Sequence, residues 1–95
     1  MTNDNWTVNL TGQAKKFDKN LSEQAAESFL LLLKELKNDG PYRANWPNYT
    51  KMADDDYHCH IKKGRPTYVV CWKIYDKKYK IMEVYYVGTH EKAPY

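Results

Sequence analysis

The segment that decides the fold covers residues 57–87 and reads YHCHIKKGRPTYVVCWKIYDKKYKIMEVYYV. Residues 57–61, 67–75 and 79–87 are rich in β-branched and aromatic side chains, which predicts three β-strands. The two short stretches between them are rich in Lys and hold Gly, Pro and Asp, residue types that favour turns. Two consecutive hairpins, and hence an antiparallel sheet, are therefore predicted.

The residues before this segment add one strand and two helices. Residues 6–10 alternate apolar and polar side chains, which predicts a short first strand. Residues 13–20 predict a short Lys-rich helix, and residues 22–38 predict a longer amphipathic one. The apolar face of the longer helix recurs at three- and four-residue steps and consists of Ala26, Phe29, Leu30, Leu33 and Leu36.

The order strand, helix, helix, strand, strand, strand predicts the fold class. We expect an α+β fold, with a small, mainly antiparallel four-stranded sheet and two N-terminal helices packed on one face. Residues 40–56 show no steady apolar period, so we expect an irregular loop held down by Tyr42, Trp46, Tyr49 and Met52. A chain of 95 residues fits one domain spanning residues 1–95.

Composition argues against several classes of protein. The longest apolar run covers residues 29–33, far short of the roughly 20 residues that cross a bilayer, and no basic-then-apolar leader opens the sequence. The two cysteines, Cys59 and Cys71, do not suggest the disulfide framework of a small secreted scaffold. We therefore expect a cytoplasmic protein that does not contact a membrane.

Positive charge is concentrated in the second half of the chain. The formal net charge is +3, whereas residues 57–80 hold seven Lys and Arg against one Asp. Basic residues interleaved with Tyr and Trp suit a nucleic-acid partner, because cations hold phosphates while rings stack on bases. Charge alone favours the plainer interpretation that these lysines solubilise strand edges and turns.

Alternation along the strands sorts the side chains into two faces. The bulkier apolar set should meet the helices and consists of Tyr57, Cys59, Ile61, Tyr68, Val70, Trp72, Ile74, Met82, Val84 and Tyr86. The open face should carry His58, His60, Lys62, Thr67, Val69, Cys71, Lys73, Ile81, Glu83, Tyr85 and Val87. The predicted sheet therefore has a polar, histidine-bearing face.

The run His58-Cys59-His60 contains the usual zinc donors, but its geometry disfavours a metal site. Cys59 should face away from the two histidines, and no second Cys/His pair stands at zinc-finger spacing, so we predict neither a metal nor a cofactor. Two histidines on one strand also fit a solvated sheet surface. The neighbouring Lys62, Lys63 and Arg65, and His90 beyond the last strand, favour a functional site.

Several of these motifs together resemble the RelE/ParE toxin superfamily. The resemblance rests on YHCHIK at residues 57–62, the Gly64-Arg65 hairpin and the ending YVGTHEKAPY at residues 86–95, whose Gly-Thr-His is like that of the YafQ-like branch. It implies the toxin of a type II toxin–antitoxin system, a ribosome-dependent endoribonuclease that cuts messenger RNA in the A site. The implied partners are a cognate antitoxin, with which it would form a hetero-oligomer, the ribosome and messenger RNA.

The resemblance also implies site residues. RelE-type members carry basic residues at the positions of His58 and His60, an arginine in or after the hairpin, a basic residue after Val-Gly and a terminal aromatic residue. Here these last three positions hold Arg65, His90 and Tyr95. The histidines at the first two positions depart from the Lys/Arg pattern of the family.

The implied reaction is a metal-free attack of a ribose 2′-OH on the adjacent phosphate. His58 or His60 would be the base and His90 the acid, because histidine changes protonation near neutral pH. The charge of the oxyanion would be held by Arg65 and Lys62. Tyr95 would stack on or orient a base, its alternative role being to cap the sheet. The lysines expected to bind RNA are Lys62, Lys63 and Lys73.

Two other functions remain open at this point. Members of the ParE branch share the fold, lack nuclease chemistry and act on DNA gyrase. A third possibility is a small module that binds RNA or the antitoxin and has lost its nuclease activity. The three histidines favour the nuclease, whereas the modest net charge disfavours a protein that must enter a phosphate-lined ribosomal site.

Overall fold

The computed structural model describes residues 5–18 and 21–95 of the chain. The elements are strand β1 (Thr7–Leu10), helices α1 (Gly12–Asp18) and α2 (Glu23–Asp39), strands β2 (Thr50–Ala53), β3 (Asp56–Lys62), β4 (Tyr68–Asp76) and β5 (Ile81–Thr89), and a 3₁₀ turn at His90–Lys92. The predicted α+β class is confirmed. The end predicted for the first helix, residues 19–20, lies outside the described residues. Neither described helix is long and apolar enough to span a membrane.

The strands form one five-stranded sheet in the order β1-β5-β4-β3-β2. β1 runs parallel to β5, and the other neighbours are antiparallel. The prediction of four strands is wrong by one, because β2 lies within residues 40–56. Three of its four residues are exposed and a bulge at Met52 interrupts its pairing with β3, so β2 lacks the apolar alternation of a half-buried strand.

Helix α2 begins and ends as its sequence predicts. The Ser22 hydroxyl accepts a hydrogen bond from the Ala25 N–H at 3.2 Å, which caps the N-terminus. At the other end Gly40 adopts a φ of 94°, which favours glycine, and its N–H donates to the Leu36 carbonyl at 3.0 Å.

The buried face of α2 differs from the predicted one. It consists of Ala25, Phe29, Leu32 and Leu36, whereas Leu30 is 65% exposed. The five consecutive apolar residues 29–33 surround the helix, so their spacing alone does not select a face. Ala25, Phe29, Leu32 and Leu36 follow one another at steps of three or four residues, and this row packs against the sheet.

The core lies between the two helices and one face of the sheet. Trp72 on β4 is fully buried there, and its Nε1–H donates to the Pro41 carbonyl at 3.1 Å. The predicted helix-facing residues of β3 and β4 belong to this core, as do Met82 and Val84 of β5, except that Tyr68 is partly buried against it. The predicted alternation therefore holds along most of the sheet.

A β-bulge reverses the alternation in the second half of β5. Cys71 pairs with Tyr86 and Trp72 pairs with Val84, so Tyr85 is the extra residue. Tyr86 consequently packs with Val69 and Cys71 on the face opposite the helices, and Val87 joins the helix-side core. The prediction that Tyr86 meets the helices and Val87 the open face is wrong, because one inserted residue exchanges the two faces beyond it.

A second bulge, at Ile61 near the end of β3, moves Lys62. His60 pairs with Val69, whereas Lys62 pairs with Tyr68, whose ring packs against the helix-side core. Directly opposed residues of paired strands point to the same face. Lys62 therefore lies on the helix side of the sheet, and the expectation that it shares the face of His58 and His60 is wrong.

The loop between α2 and β2 is held down by one carboxylate. Glu35 Oε1 accepts hydrogen bonds from Arg43 Nη1 at 3.1 Å, Asn45 Nδ2 at 2.8 Å and Trp46 Nε1 at 2.9 Å. Burial alone raises the pKa of Glu35, but the three donors and the Arg43 charge outweigh it and lower that pKa below its ordinary value. The carboxylate is therefore bound in its charged form.

Aromatic contacts hold the remainder of this loop. The Tyr49 ring stacks on Tyr57 at 5.8 Å, and Tyr57 in turn stacks on Trp72 at 6.2 Å. Of the four residues expected to hold the loop down, Trp46 and Tyr49 pack against the helix-side core, and Met52 packs on the opposite face. Tyr42 is more than half exposed, although its ring meets the Tyr57 ring edge-on at 5.7 Å.

Substitution of Glu35 should loosen the loop. Glu35→Ala is expected to lower the free energy of unfolding by about 1–3 kcal/mol, because the partly buried donors of Arg43 and Trp46 lose a charged acceptor. Since folding lowers the Glu35 pKa from 4.5, its contribution is present above about pH 4.5 and is lost as the pH falls below that value. Denaturant unfolding at pH 7 and pH 3 measures both effects. Glu27→Ala, on the exposed side of the same helix, is the control; equal losses in both variants would contradict the expectation.

Candidate active site

Four aromatic side chains meet on the sheet face opposite the helices. They are His58 and His60 of β3, His90 of the turn after β5, and Tyr95. The ring centroids are 6.1 Å apart for His58–His60, 5.4 Å for His60–His90, 4.3 Å for His58–Tyr95 and 5.9 Å for His90–Tyr95. We call these four residues the histidine cluster. Residues more than 30 positions apart in the chain thus form one continuous group.

Strand pairing determines how two members of the cluster face. His58 pairs with Cys71 and His60 pairs with Val69, and both partners pack on the face opposite the helices. Directly paired residues share a face, so both imidazoles point away from the helical core. Cys59, between them, is buried in the helix-side core, as its position in the strand predicts.

The third histidine is brought over the sheet by the end of β5. The His90 N–H donates to the Thr67 carbonyl at 2.8 Å, and the Tyr86 hydroxyl donates to the Thr89 carbonyl at 2.6 Å. To make the second bond, the Tyr86 ring passes directly over Gly88, where a Cβ atom would lie 2.8 Å from the hydroxyl oxygen. Gly88 therefore leaves the space that the tyrosine needs to hold the turn.

Burial changes the acid–base behaviour of two cluster members. His58 is only 8% exposed, and no described residue donates to or accepts from its buried Nδ1. Burial, followed by the charges of His60 and His90, lowers the His58 pKa, whereas Asp56 opposes this change. Burial also lowers the His60 pKa, with further contributions from His90 and Lys63. Both imidazoles are therefore biased toward the neutral form.

A recess of about 500 Å³ opens beside the cluster. It separates the β3–β4 hairpin from the 3₁₀ turn and is lined by Gly64, Arg65, Pro66, Thr67, Thr89, His90 and Glu91. Arg65 and His90, far apart in sequence, thus border the same cavity. A guanidinium beside an imidazole pairs a fixed positive charge with a group that exchanges protons.

The three predicted RNA-binding lysines lie at different places. Lys63 is exposed in the hairpin, close enough to His60 to lower its pKa. Lys62 lies at the edge of the helix side, where its Nζ donates weakly to the Lys63 carbonyl at 3.5 Å. Lys73 is on the cluster's face but further along β4, with its Nζ 5.8 Å from the centre of the Tyr85 ring. The structure therefore gathers the histidines, Arg65 and Lys63, whereas Lys62 starts from the helix side of the sheet and its Nζ lies near Gly64, at the rim of the recess.

One polar pair on the same face, Tyr85 and Asp56, was not predicted from the sequence. The Tyr85 hydroxyl donates to Asp56 Oδ1 at 2.7 Å, and Asp56 is two residues before His58 on β3. Asp56 was predicted to lie in an irregular loop, although its even spacing from His58 indicates the same face.

The described residues hold no group of three His, Cys, Asp or Glu side chains arranged to bind a metal ion. What the cluster and recess offer instead is proton exchange by imidazoles and a fixed positive charge. Such an arrangement can move protons at a reacting oxygen and stabilise a developing anion.

The architecture is similar to that of solved RelE structures. The archaeal RelE–RelB complex from Pyrococcus horikoshii matches with a TM-score of 0.70 and 16% identity, over 94% of this chain and 99% of that one. A mutant of E. coli RelE in the free state matches with a TM-score of 0.70 and 17% identity, over 94% and 87%. The intact E. coli RelBE toxin–antitoxin complex matches with a TM-score of 0.67 and 20% identity, over 92% and 99%.

These likenesses show that the chain has a RelE-like fold, as the sequence resemblance predicts. At such low identities they show the fold and not the chemistry. No protein-family model matches the chain, and no curated protein matches it in sequence. The likeness of the Gly-Thr-His ending to the YafQ-like branch stays a prediction.

A methyl group at Gly88 should disturb the cluster. Gly88→Ala places a Cβ 2.8 Å from the Tyr86 hydroxyl, which must move and release the Thr89 carbonyl. We expect a loss of about 1–3 kcal/mol in the free energy of unfolding and altered imidazole NMR signals for His90. Gly12→Ala is the matched control, because nothing lies within 4 Å of its added Cβ. Unchanged His90 signals in Gly88→Ala would contradict this role for Tyr86.

Proposed function

We propose that this chain is the toxin of a type II toxin–antitoxin system and a ribosome-dependent endoribonuclease. It would cleave messenger RNA in the ribosomal A site and thereby inhibit translation in the cytoplasm, as one domain spanning residues 1–95. The observation that carries the proposal is the histidine cluster beside the Arg65 recess, on the free face of a RelE-like fold. These residues supply the groups that metal-free RNA cleavage requires.

The proposed reaction is an internal transfer at one phosphate. The ribose 2′-oxygen attacks the adjacent phosphorus and loses its proton to a base. The bond from phosphorus to the 5′-oxygen then breaks, and that oxygen takes a proton from an acid. The products are a 2′,3′-cyclic phosphate and a free 5′-hydroxyl, and no oxidant, reductant or metal enters the balance.

The two β3 histidines suit the role of the base. Burial lowers the pKa of His58 and of His60, so both are biased toward the neutral form that accepts a proton at neutral pH. His60 lies nearer His90, whereas His58 lies under Tyr95. We assign the base to this pair and leave the choice between the two to mutagenesis.

The acid and the anion clamp are assigned to the two residues that border the recess. His90 is exposed on the 3₁₀ turn and reaches the cavity that Arg65 also lines. A phosphate held by the Arg65 guanidinium would lie beside the His90 imidazole, which would protonate the leaving oxygen. Tyr95, half exposed next to both His58 and His90, offers a ring on which a base can stack.

A cognate antitoxin is the proposed protein partner. Two of the similar solved structures are RelE toxins in complex with RelB. Helix α2 of this chain leaves the adjacent Leu30 and Leu31 65% and 52% exposed, which offers an apolar surface to a partner. We propose that the antitoxin covers this helical surface, the basic face, or both.

Production of the protein without its antitoxin tests the function directly. Growth should stop, and pulse labelling should show an early fall in amino-acid incorporation while DNA synthesis continues. A gyrase inhibitor of the ParE kind would instead stop DNA synthesis first. A module without nuclease activity would leave both rates unchanged, and either of these results would overturn the proposal.

Arg65→Ala should depress cleavage strongly without unfolding the protein. Arg65 is exposed in the hairpin, so little packing is lost, whereas one preorganised oxyanion donor typically contributes ~10²- to 10³-fold in rate. Primer extension on programmed ribosomes measures the loss. Lys78→Ala removes the same charge from the exposed turn at the other end of β4 and should cut normally. Normal cleavage by Arg65→Ala would move the clamp to Lys63 or Lys73.

His90→Ala should impair cleavage more than Tyr95→Ala. Loss of a general acid typically costs ~10²- to 10⁴-fold. Stacking contributes only ~1–3 kcal/mol per base, and Tyr95 lies at a chain terminus. Primer extension compares the rates, with thermal melting and antitoxin binding as controls for folding. A folded His90→Ala protein that cleaves at the parental rate would remove His90 from proton transfer.

A further inference from the structure

The β5 bulge aims a tyrosine at a carboxylate beside the histidine cluster. Because Tyr85 is the extra residue, both it and Tyr86 face away from the helices. The Tyr85 hydroxyl reaches across β4 to donate to Asp56 Oδ1 at 2.7 Å. Bulges of this kind redirect a side chain and are frequent next to active sites. The bulge thus fixes the position of the Asp56 carboxylate.

Asp56 and His58 are neighbours on one face of β3. They are two residues apart on the strand, which separates their Cα atoms by about 6.6 Å and points both side chains to the same side. Around Asp56, Lys73 occupies the directly opposed position on β4, and its Nζ lies over the Tyr85 ring. The carboxylate is therefore held by the Tyr85 hydroxyl, on the same face as the most buried histidine of the cluster.

We infer that Asp56, held in place by Tyr85, is a positioning residue that stabilises the protonated imidazolium of His58. The inference rests on the proposed function for its purpose, because a base needs an anion nearby to stabilise the imidazolium that forms when it accepts a proton. In this role neither Asp56 nor Tyr85 needs to touch the RNA. The geometry that carries it is the Tyr85–Asp56 hydrogen bond and the shared face of Asp56 and His58.

The other groups that face His58 leave this role to Asp56. Cys71, directly opposite on β4, stays a neutral thiol because burial raises its pKa to about 12. Burial likewise raises the pKa of the Tyr95 phenol to about 12, so the ring over His58 is uncharged at neutral pH. Thr50, opposite on β2, does not titrate. His60 and His90 disfavour the charged imidazolium, and the Asp56 carboxylate favours it.

An NMR titration of the imidazole signals on the free protein tests the inference without any RNA. Asp56→Asn should lower the titration midpoint of His58, because the neutral amide no longer stabilises the imidazolium. Asp54→Asn is the matched control: it removes the same charge from the adjacent turn, where the Asp54 side chain is fully exposed. The His58 midpoint should move in Asp56→Asn by clearly more than in Asp54→Asn.

Tyr85→Phe separates positioning from mere proximity. It keeps the ring in the bulge but removes the hydrogen bond, so the His58 midpoint should fall in the same direction by less. The double variant should match Asp56→Asn alone, because Tyr85 acts through Asp56. A His58 midpoint that is unchanged in folded Asp56→Asn, or that falls equally in Asp54→Asn, overturns the inference. If Asp56→Asn does not fold, an unchanged midpoint in Tyr85→Phe overturns it.

A cleavage assay then links the pair to the proposed reaction. In Asp56→Asn the acidic limb of the pH–rate profile should move to lower pH together with the His58 midpoint. A moved midpoint in a protein that cleaves no RNA supports the role of Asp56 and counts against the proposed function. An unmoved His58 midpoint in a protein that cleaves RNA counts against the role of Asp56 and supports the proposed function.

Discussion

The pairing of β4 with β5 is the interaction on which the remaining structure depends. These central strands carry Trp72, Val70, Met82 and Val84 into the helix-side core, and they carry Cys71 and Tyr86 to the other face. The first set belongs to the same core as buried residues of both helices, and the histidine cluster is built against the second. One ladder of backbone hydrogen bonds therefore supports the core and the candidate site at the same time, which couples the stability of the fold to the geometry of the site.

Local patterns were enough to predict most of the elements. Strand alternation correctly placed Tyr57, Cys59 and Trp72 toward the helices, because each side of a regular strand sees one environment. The errors arose where regularity ends. A bulge at Tyr85 exchanged the faces of Tyr86 and Val87, and no composition signal distinguishes a bulge from a continuous strand. The apolar run at residues 29–33 does not indicate which face of α2 is buried, because packing against the sheet determines that face.

In the candidate site, too, the features that depend on regular strand spacing were predicted and those that depend on a bulge were not. The histidines were predicted to share a face from their spacing, and the turn that brings His90 back over the sheet fits the glycine at position 88. The Tyr85–Asp56 hydrogen bond joins β5 to β3 across an intervening strand, and it depends on the bulge, so spacing within one strand does not reveal it. Long-range pairs of this kind follow from strand order and register, which are properties of the folded chain.

The use of histidines where fixed cations are usual has a consequence for how an anionic ligand would bind. At neutral pH the imidazoles of His58 and His60 are biased toward the uncharged form, so the permanent positive charge of this face comes mainly from Arg65, Lys63 and Lys73. Each phosphate neutralised by a cation releases condensed counterions, and this release sets the salt dependence of nucleic-acid binding. As the pH falls and the imidazoles gain protons, more counterions would be displaced on binding. The steepness of the salt dependence would thus itself vary with pH, unlike that of a face built from lysine and arginine.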